Sequence, residues 1–251
     1  MSTTPRPSAA SQSLADQLQP IVRVHADIRA GEHARVDVAD ARARVLAGRA
    51  GFDAESALSD TADLSMPFSL VAAAFERTGI AATPQINALQ ALNVDADEQV
   101  LAWVNHESPP SDPTLKLARH LAGIVGNAVL GRAAADIMTD FSPSGWKWPY
   151  CPCCRASPDL AVSTDTGRTL ICWRCDTQWE TELRGCLGCG ATEAPAIVRV
   201  SSPYLGYELA ICNACGRYLK ERRGPLTYDL LVERTFVAGL DEAAQQRGLR
   251  T

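Results

Sequence analysis

The sequence predicts an α+β protein: an all-helical N-terminal domain, two cysteine-rich modules built on short strands, and a C-terminal helix. Two observations predict it. Residues 13–140 are alanine-rich, with apolar side chains at three- and four-residue spacing and few β-branched runs, the pattern of amphipathic helices. All nine cysteines lie between Cys151 and Cys215, where the chain turns to short alternating runs.

Residues 1–12 are rich in Ser, Thr, Pro and Ala and are expected to form a disordered tail. The helical domain is expected over 13–140, and several helix ends are readable within it. Pro67 opens FSLVAAAFERTG, with Gly79 placed as its C-cap. Asp95 with Glu98 forms a capping-box pattern before QVLAWVNHE, so a helix is expected to reach about Glu107. SPPSDP, 108–113, is a break whose Asp112 and Pro113 suit the N-cap and first helical position of the next helix. That helix carries Leu117, Leu121, Ile124, Val125 and Val129 on one stripe and is expected to be long and central. His25, His33, His106 and His120 form no ligand-spaced pattern and read as packing or surface residues. Arg42, Arg44 and Arg49 read as a solvated helix face. No Gly-rich phosphate loop, G-x-S-x-G or H-E-x-x-H motif is present.

FSPSGWKWPY, beginning at Phe141, marks a domain boundary. Beyond it we expect a first metal module over 146–182, a second over 183–226 and a closing helix over 227–247.

The bulk properties narrow the function. The 251-residue chain is 46% hydrophobic with a net charge of −5. Lys and Arg number 12 against 17 acidic residues in 1–150, and 12 against 12 in 151–251. Neither half has the positive field that non-specific nucleic-acid binding needs, so no nucleic acid is expected as partner. No apolar run approaches the ~20 residues of a membrane span, and MSTTPRPSAASQS lacks the charged and apolar regions of a signal peptide. A cytoplasmic protein without membrane insertion is expected.

Eight cysteines form four C-x-x-C pairs: Cys151/Cys154, Cys172/Cys175, Cys186/Cys189 and Cys212/Cys215. A tetrahedral metal takes four ligands and each knuckle aims two sulfurs at one centre, so four knuckles imply two metal ions. DLAVSTDTGRTLI, between the first two knuckles, reads as strand, turn at Thr164–Gly167, and strand, which returns the second knuckle to the first. APAIVRVSSPYLGYELAI, between the last two, reads the same way, with a turn around Ser201–Gly206. DTQWETELRG, joining Cys175 to Cys186, suits a link between modules. Sequential pairing is therefore favoured over a cross-brace, giving two four-cysteine modules of rubredoxin-like or zinc-ribbon type. Iron and zinc both accept four thiolates, and the choice stays open. In the second module each knuckle is followed by glycine, Gly190 and Gly216. The first has Arg155 and Asp176 instead, which points to a strained, wetter or looser site. Cys153, inside the first knuckle, is left over as a bystander thiol, a redox or sulfur-handling group, or a replacement ligand. Trp146, Trp148, Trp173, Trp179, Tyr204, Tyr207 and Tyr218 read as packing around the knuckles.

The order CPCC, CWRCDTQW, RGCLGCG, CNACGRYLK, with Trp179 four residues after Cys175, resembles the formate dehydrogenase accessory protein FdhE family over roughly 148–220. Where that family typically reads CPVCG, this chain has Cys153 and Arg155. The resemblance implies a non-enzymatic cytoplasmic maturation factor that binds the catalytic subunit of a formate dehydrogenase, with the four knuckle pairs as metal ligands. The alternatives are an iron-thiolate or Cys153-dependent redox or sulfur-handling protein and, behind it, a zinc-ribbon nucleic-acid-binding module.

Overall fold

A computed structural model describes residues 8–31, 36–61, 63–108, 110–143, 145–165, 167–192, 195–202 and 206–250. His33 and Tyr204 lie outside them. The chain divides into two compact units, one formed by 16–142 and the other by 143–251 together with 1–15.

Among the described residues, the helices that precede the cysteine-rich segment run α1 (Ala9–Ala30), α2 (Val38–Leu46), α3 (Ala54–Ser59), α4 (Ser65–Thr78), α5 (Thr83–Ala91), α6 (Ala96–Val104) and α7 (Pro113–Met138). α1 begins at Ala9, inside the stretch read as a tail. α7 is central: α2 through α6 all pack on it, and Leu121, Val125, Val129 and Ile137 are fully buried. By length and composition α7 could cross a membrane, but 67% of its most apolar window is buried by its neighbours. It therefore serves as a core helix. Asp112 caps it by accepting from the backbone N–H groups of Thr114 and Leu115 at 2.8 and 3.0 Å. A Cβ at Gly126 would stand 2.6 Å from the Trp103 ring, so this glycine is what lets α6 approach α7.

Local signals set most helix ends. Gly79 adopts the left-handed C-cap conformation at φ 70°, and Asp95 accepts from Glu98 N–H at 3.0 Å. α6 stops at Val104, short of the expected Glu107, because the chain reverses at His106 with φ 55°. Arg42 departs from the solvated reading. Its guanidinium donates to the carbonyls of Ile137 (2.8 Å), Asp136 (3.3 Å) and Thr139, closing the C-terminus of α7 where the helix dipole favours a cation. His25 is buried and meets Asn127 Oδ1 at 2.8 Å, and His120, exposed on α7, packs edge-on against Phe75.

The second unit is built on one sheet: β1 (Pro158–Ser163), β2 (Arg168–Cys172), β3 (Gln178–Thr181), β4 (Ile197–Ser202), β5 (Tyr207–Cys212) and β6 (Tyr218–Arg223). Its order is β3-β2-β1-β6-β5-β4. Both expected hairpins form. β1 pairs β2 with Ala161 opposite Leu170, and Thr164 N–H donates to Gly167 O at 2.9 Å to close the turn. β4 pairs β5 with Val200 opposite Leu209.

Two features depart from the sequence reading. The stretch read as a link contains β3, which pairs β2 with Trp179 opposite Leu170. The two modules share one sheet, in which β1 runs parallel to β6 with Leu160 beside Lys220 and Val162 beside Arg222. Each module contributes its strands in the order third, second, first, so the sheet is a head-to-tail repeat.

One face of the sheet is covered by α8 (Leu230–Gln245). Leu160, Ile171 and Tyr207 pack with Val237, and Leu209 and Tyr218 pack with Ala244. Polar groups join the same two layers: Tyr207 Oη donates to Glu233 at 2.8 Å, and Lys220 Nζ meets Asp241 at 2.6 Å. Glu233 is 1% exposed and also accepts from the Thr227 and Tyr228 N–H groups. A buried carboxylate satisfied on that many sides anchors the start of the helix.

Candidate metal centres

Four backbone turns position the sulfurs, and they share one hydrogen-bond pattern. In each, the first cysteine's N–H donates to the carbonyl five residues on, and the N–H four residues on returns to the first cysteine's carbonyl. The first bond is 2.8 Å at Cys151, 2.9 Å at Cys172, 2.9 Å at Cys186 and 2.8 Å at Cys212. The residue four on has positive φ in every case: Arg155 62°, Asp176 59°, Gly190 74° and Gly216 70°. Within the turn an N–H group faces sulfur, Arg174 to Cys172 at 3.4 Å and Gly188 to Cys186 at 3.3 Å.

The hairpins bring the knuckles together as two groups of four, Cys151, Cys154, Cys172 and Cys175, and Cys186, Cys189, Cys212 and Cys215. In each group all sulfurs lie within 4.8 Å of one another. Sequential pairing is thus what the chain adopts. Sulfurs stand 3.6 Å apart at Cys151/Cys175, 3.5 Å at Cys154/Cys172, 3.5 Å at Cys186/Cys215 and 3.6 Å at Cys189/Cys212. A disulfide needs about 2.05 Å. A tetrahedron with metal–sulfur bonds of about 2.3 Å has edges of about 3.8 Å, so both groups fit a site of four thiolates.

The first group is the more enclosed. Its four cysteines are buried, whereas Cys189 is exposed and Cys186 and Cys215 are half-buried. That corrects the expectation of a wetter first site. Burial pushes the thiols of Cys151, Cys154 and Cys172 well above their ordinary value of 9.0. Against that burial, hydrogen bonds from the other three sulfurs and from Thr177, whose hydroxyl is 3.0 Å away, hold Cys175 well below it. A dry pocket of this kind tolerates one thiolate by itself, and four only around a cation. In the second group the Cys215 and Ala214 N–H groups hold Cys212 down to about 7 against the upward push of burial.

The strain expected at the first site is present and is met by specific contacts. Arg155 lies over the Tyr150 ring at 4.8 Å. Asp176 accepts from Arg234 of α8 at 2.7 Å, and the same guanidinium reaches both oxygens of Asp159 (2.9 and 3.3 Å) and the Cys172 carbonyl (2.8 Å). The second group has a counterpart: Arg250 donates to the Cys215 carbonyl at 3.3 Å, and its backbone bonds to Gly216 and Tyr218. Sequence reasoning missed both arginines. For Arg234 the signal was the pair of non-glycine residues at positions that want glycine; for Arg250 the second group, with Gly190 and Gly216 there, offered none.

Cys153 is fully buried and stands outside the four-sulfur groups. Trp179, Tyr207 and Tyr218 are buried as expected, but Trp148 is 48% exposed and stacks on Tyr150.

A helical unit followed by a head-to-tail pair of four-cysteine ribbons defines an architectural class. The fold is that of FdhE: the crystal structure of the FdhE protein from Pseudomonas aeruginosa matches over 96% of this chain and 90% of that one, with a TM-score of 0.67 at 17% sequence identity. No protein-family model and no curated protein matches the sequence.

Proposed function

We propose that the chain is a non-enzymatic cytoplasmic accessory factor that binds the catalytic subunit of a formate dehydrogenase and supports its maturation. The observation that carries this reading is the likeness to FdhE across nearly the whole chain, joined to the cysteine motifs that resemble the same family. In this reading Cys151, Cys154, Cys172 and Cys175 hold one metal ion, iron or zinc, and Cys186, Cys189, Cys212 and Cys215 hold a second. The metals support the fold of the ribbon unit, since each structural thiolate site contributes on the order of 10 kcal/mol. The enclosure of Cys153 argues against a redox role for that thiol, because reactive cysteines need access.

Affinity purification from the protein's own cell extract, with metal analysis of the same sample, tests the reading. A formate dehydrogenase subunit should co-purify and two metal ions per chain should be found. Folded, metal-loaded protein that captures no such subunit would remove the proposed partner.

A further inference from the structure

On the sheet face opposite α8 lies a cavity of about 280 Å³. It sits between the two cysteine groups, bordered by Arg155 of the first knuckle and by Gly188 and Cys212 of the second group. Five arginines line it, Arg155, Arg168, Arg184, Arg199 and Arg217, with no carboxylate among its described lining residues. Five of the twelve basic residues of a half with balanced charge thus meet at one place.

Structural ion pairing accounts for only two of them. Glu221, beneath the cavity, binds Arg168 at 3.2 Å and Arg199 at 2.8 Å, and Glu208 adds a 3.4 Å contact to Arg199. Among the described residues, Arg155, Arg184 and Arg217 have no carboxylate partner. Arg168 is 7% exposed, and its buried Nε has no hydrogen-bond partner. Desolvation and the nearby Arg199 and Arg184 charges all disfavour the charged form of Arg168, which Glu221 partly offsets. A buried guanidinium held beside other cations with a donor unmet is costly unless an anion completes the group.

The composition of the lining points to the kind of anion. Guanidinium forks match phosphoryl oxygens in pairs, and three uncommitted arginines exceed what a single carboxylate would neutralise. Ile197 and Leu219 supply an apolar wall on which an organic moiety can lie. Arg217 is itself positioned by the second knuckle: a Cβ at Gly188 would stand 2.3 Å from its Cδ, so only glycine lets that side chain cross there.

We propose that this arginine-lined cavity between the two cysteine groups is a binding site for a small phosphate-bearing ligand with at least two negative charges. Calorimetric titration of the full-length, metal-loaded protein at low salt, with inorganic pyrophosphate as probe, tests it. Pyrophosphate should bind in the micromolar range, more tightly than inorganic phosphate, and weaken as salt is added. Arg184→Ser and Arg217→Ser should each weaken binding by roughly tenfold, as expected for loss of one charge-assisted contact. Both variants should keep two metal ions per chain and an unchanged melting temperature, since neither arginine holds a structural carboxylate. No heat at millimolar pyrophosphate, unchanged affinity in the double variant, or tighter binding of a hexaglutamate peptide than of pyrophosphate would each overturn the proposal.

Discussion

Asp176 holds a backbone conformation that costs a non-glycine residue about 1–2 kcal/mol, yet it also supplies an oxygen to Arg234. The two effects oppose each other, and their sizes decide the outcome. Asp176→Gly relieves the strain but leaves Arg234 short of a partner it meets at 2.7 Å. Breaking a buried pair costs about 3–5 kcal/mol, so a net loss of about 2 kcal/mol is expected in chemical denaturation. Arg155→Gly relieves the same strain and loses only a cation–π contact worth about 0.5–1 kcal/mol, so stability should be unchanged or slightly raised. Removing the clamp itself, Arg234→Met, strands Asp159 and Asp176 together. We expect a loss of about 3 kcal/mol and faster transfer of one metal ion, from the first group only, to a chromogenic chelator. Equal release from both groups would show that Arg234 acts on the fold as a whole.

At the scale of elements, contacts near in sequence and contacts far from it separate what was legible. The C-terminus of α4 and the N-terminus of α7 were readable because Gly79, Asp112 and Pro113 act on backbone groups a few residues away, whereas α4 starts at Ser65 and not at Pro67. Both hairpins and the two cysteine groups were readable for the same reason, since a knuckle is a local turn and a hairpin returns its neighbour. β3 and β6 were not. QWET is four residues at a sheet edge, and YLKERR shows no apolar alternation because its buried charges are matched by distant groups: Lys220 by Asp241, Arg222 by Glu233, Glu221 by Arg168 and Arg199. Arg42 was misread likewise, as its carbonyl partners lie at the far end of α7. Helix packing gives a further test. Gly126→Ala raises helix propensity by about 1 kcal/mol, but the added carbon would stand 2.6 Å from Trp103 and 3.2 Å from Val100. Overpacking costs about 1–3 kcal/mol, so thermal unfolding should show a lower melting temperature despite the better helix former.

At the scale of the whole molecule, the two units draw on different sources of stability. The helical unit buries an apolar core around α7, whereas the ribbon unit places eight of nine cysteines where their sulfurs face one another. Chelation should therefore unfold the ribbon unit and leave the helical signal of α1 to α7 in circular dichroism largely intact, with a second transition only on heating. Simultaneous loss of both would show that the helical unit depends on the metals. The reach of Arg234 back to the first knuckle also has a consequence in time. The ribosome completes the ligands of the first group at Cys175 but delivers its clamp only at Arg234, with β6, the partner of β1, made in between. At about 5–20 residues per second, that interval lasts on the order of 3–12 s. For those seconds the first site has all its sulfurs but not its lock, and for most of them not its neighbouring strand either, so the sulfurs stand open until the last helix is made.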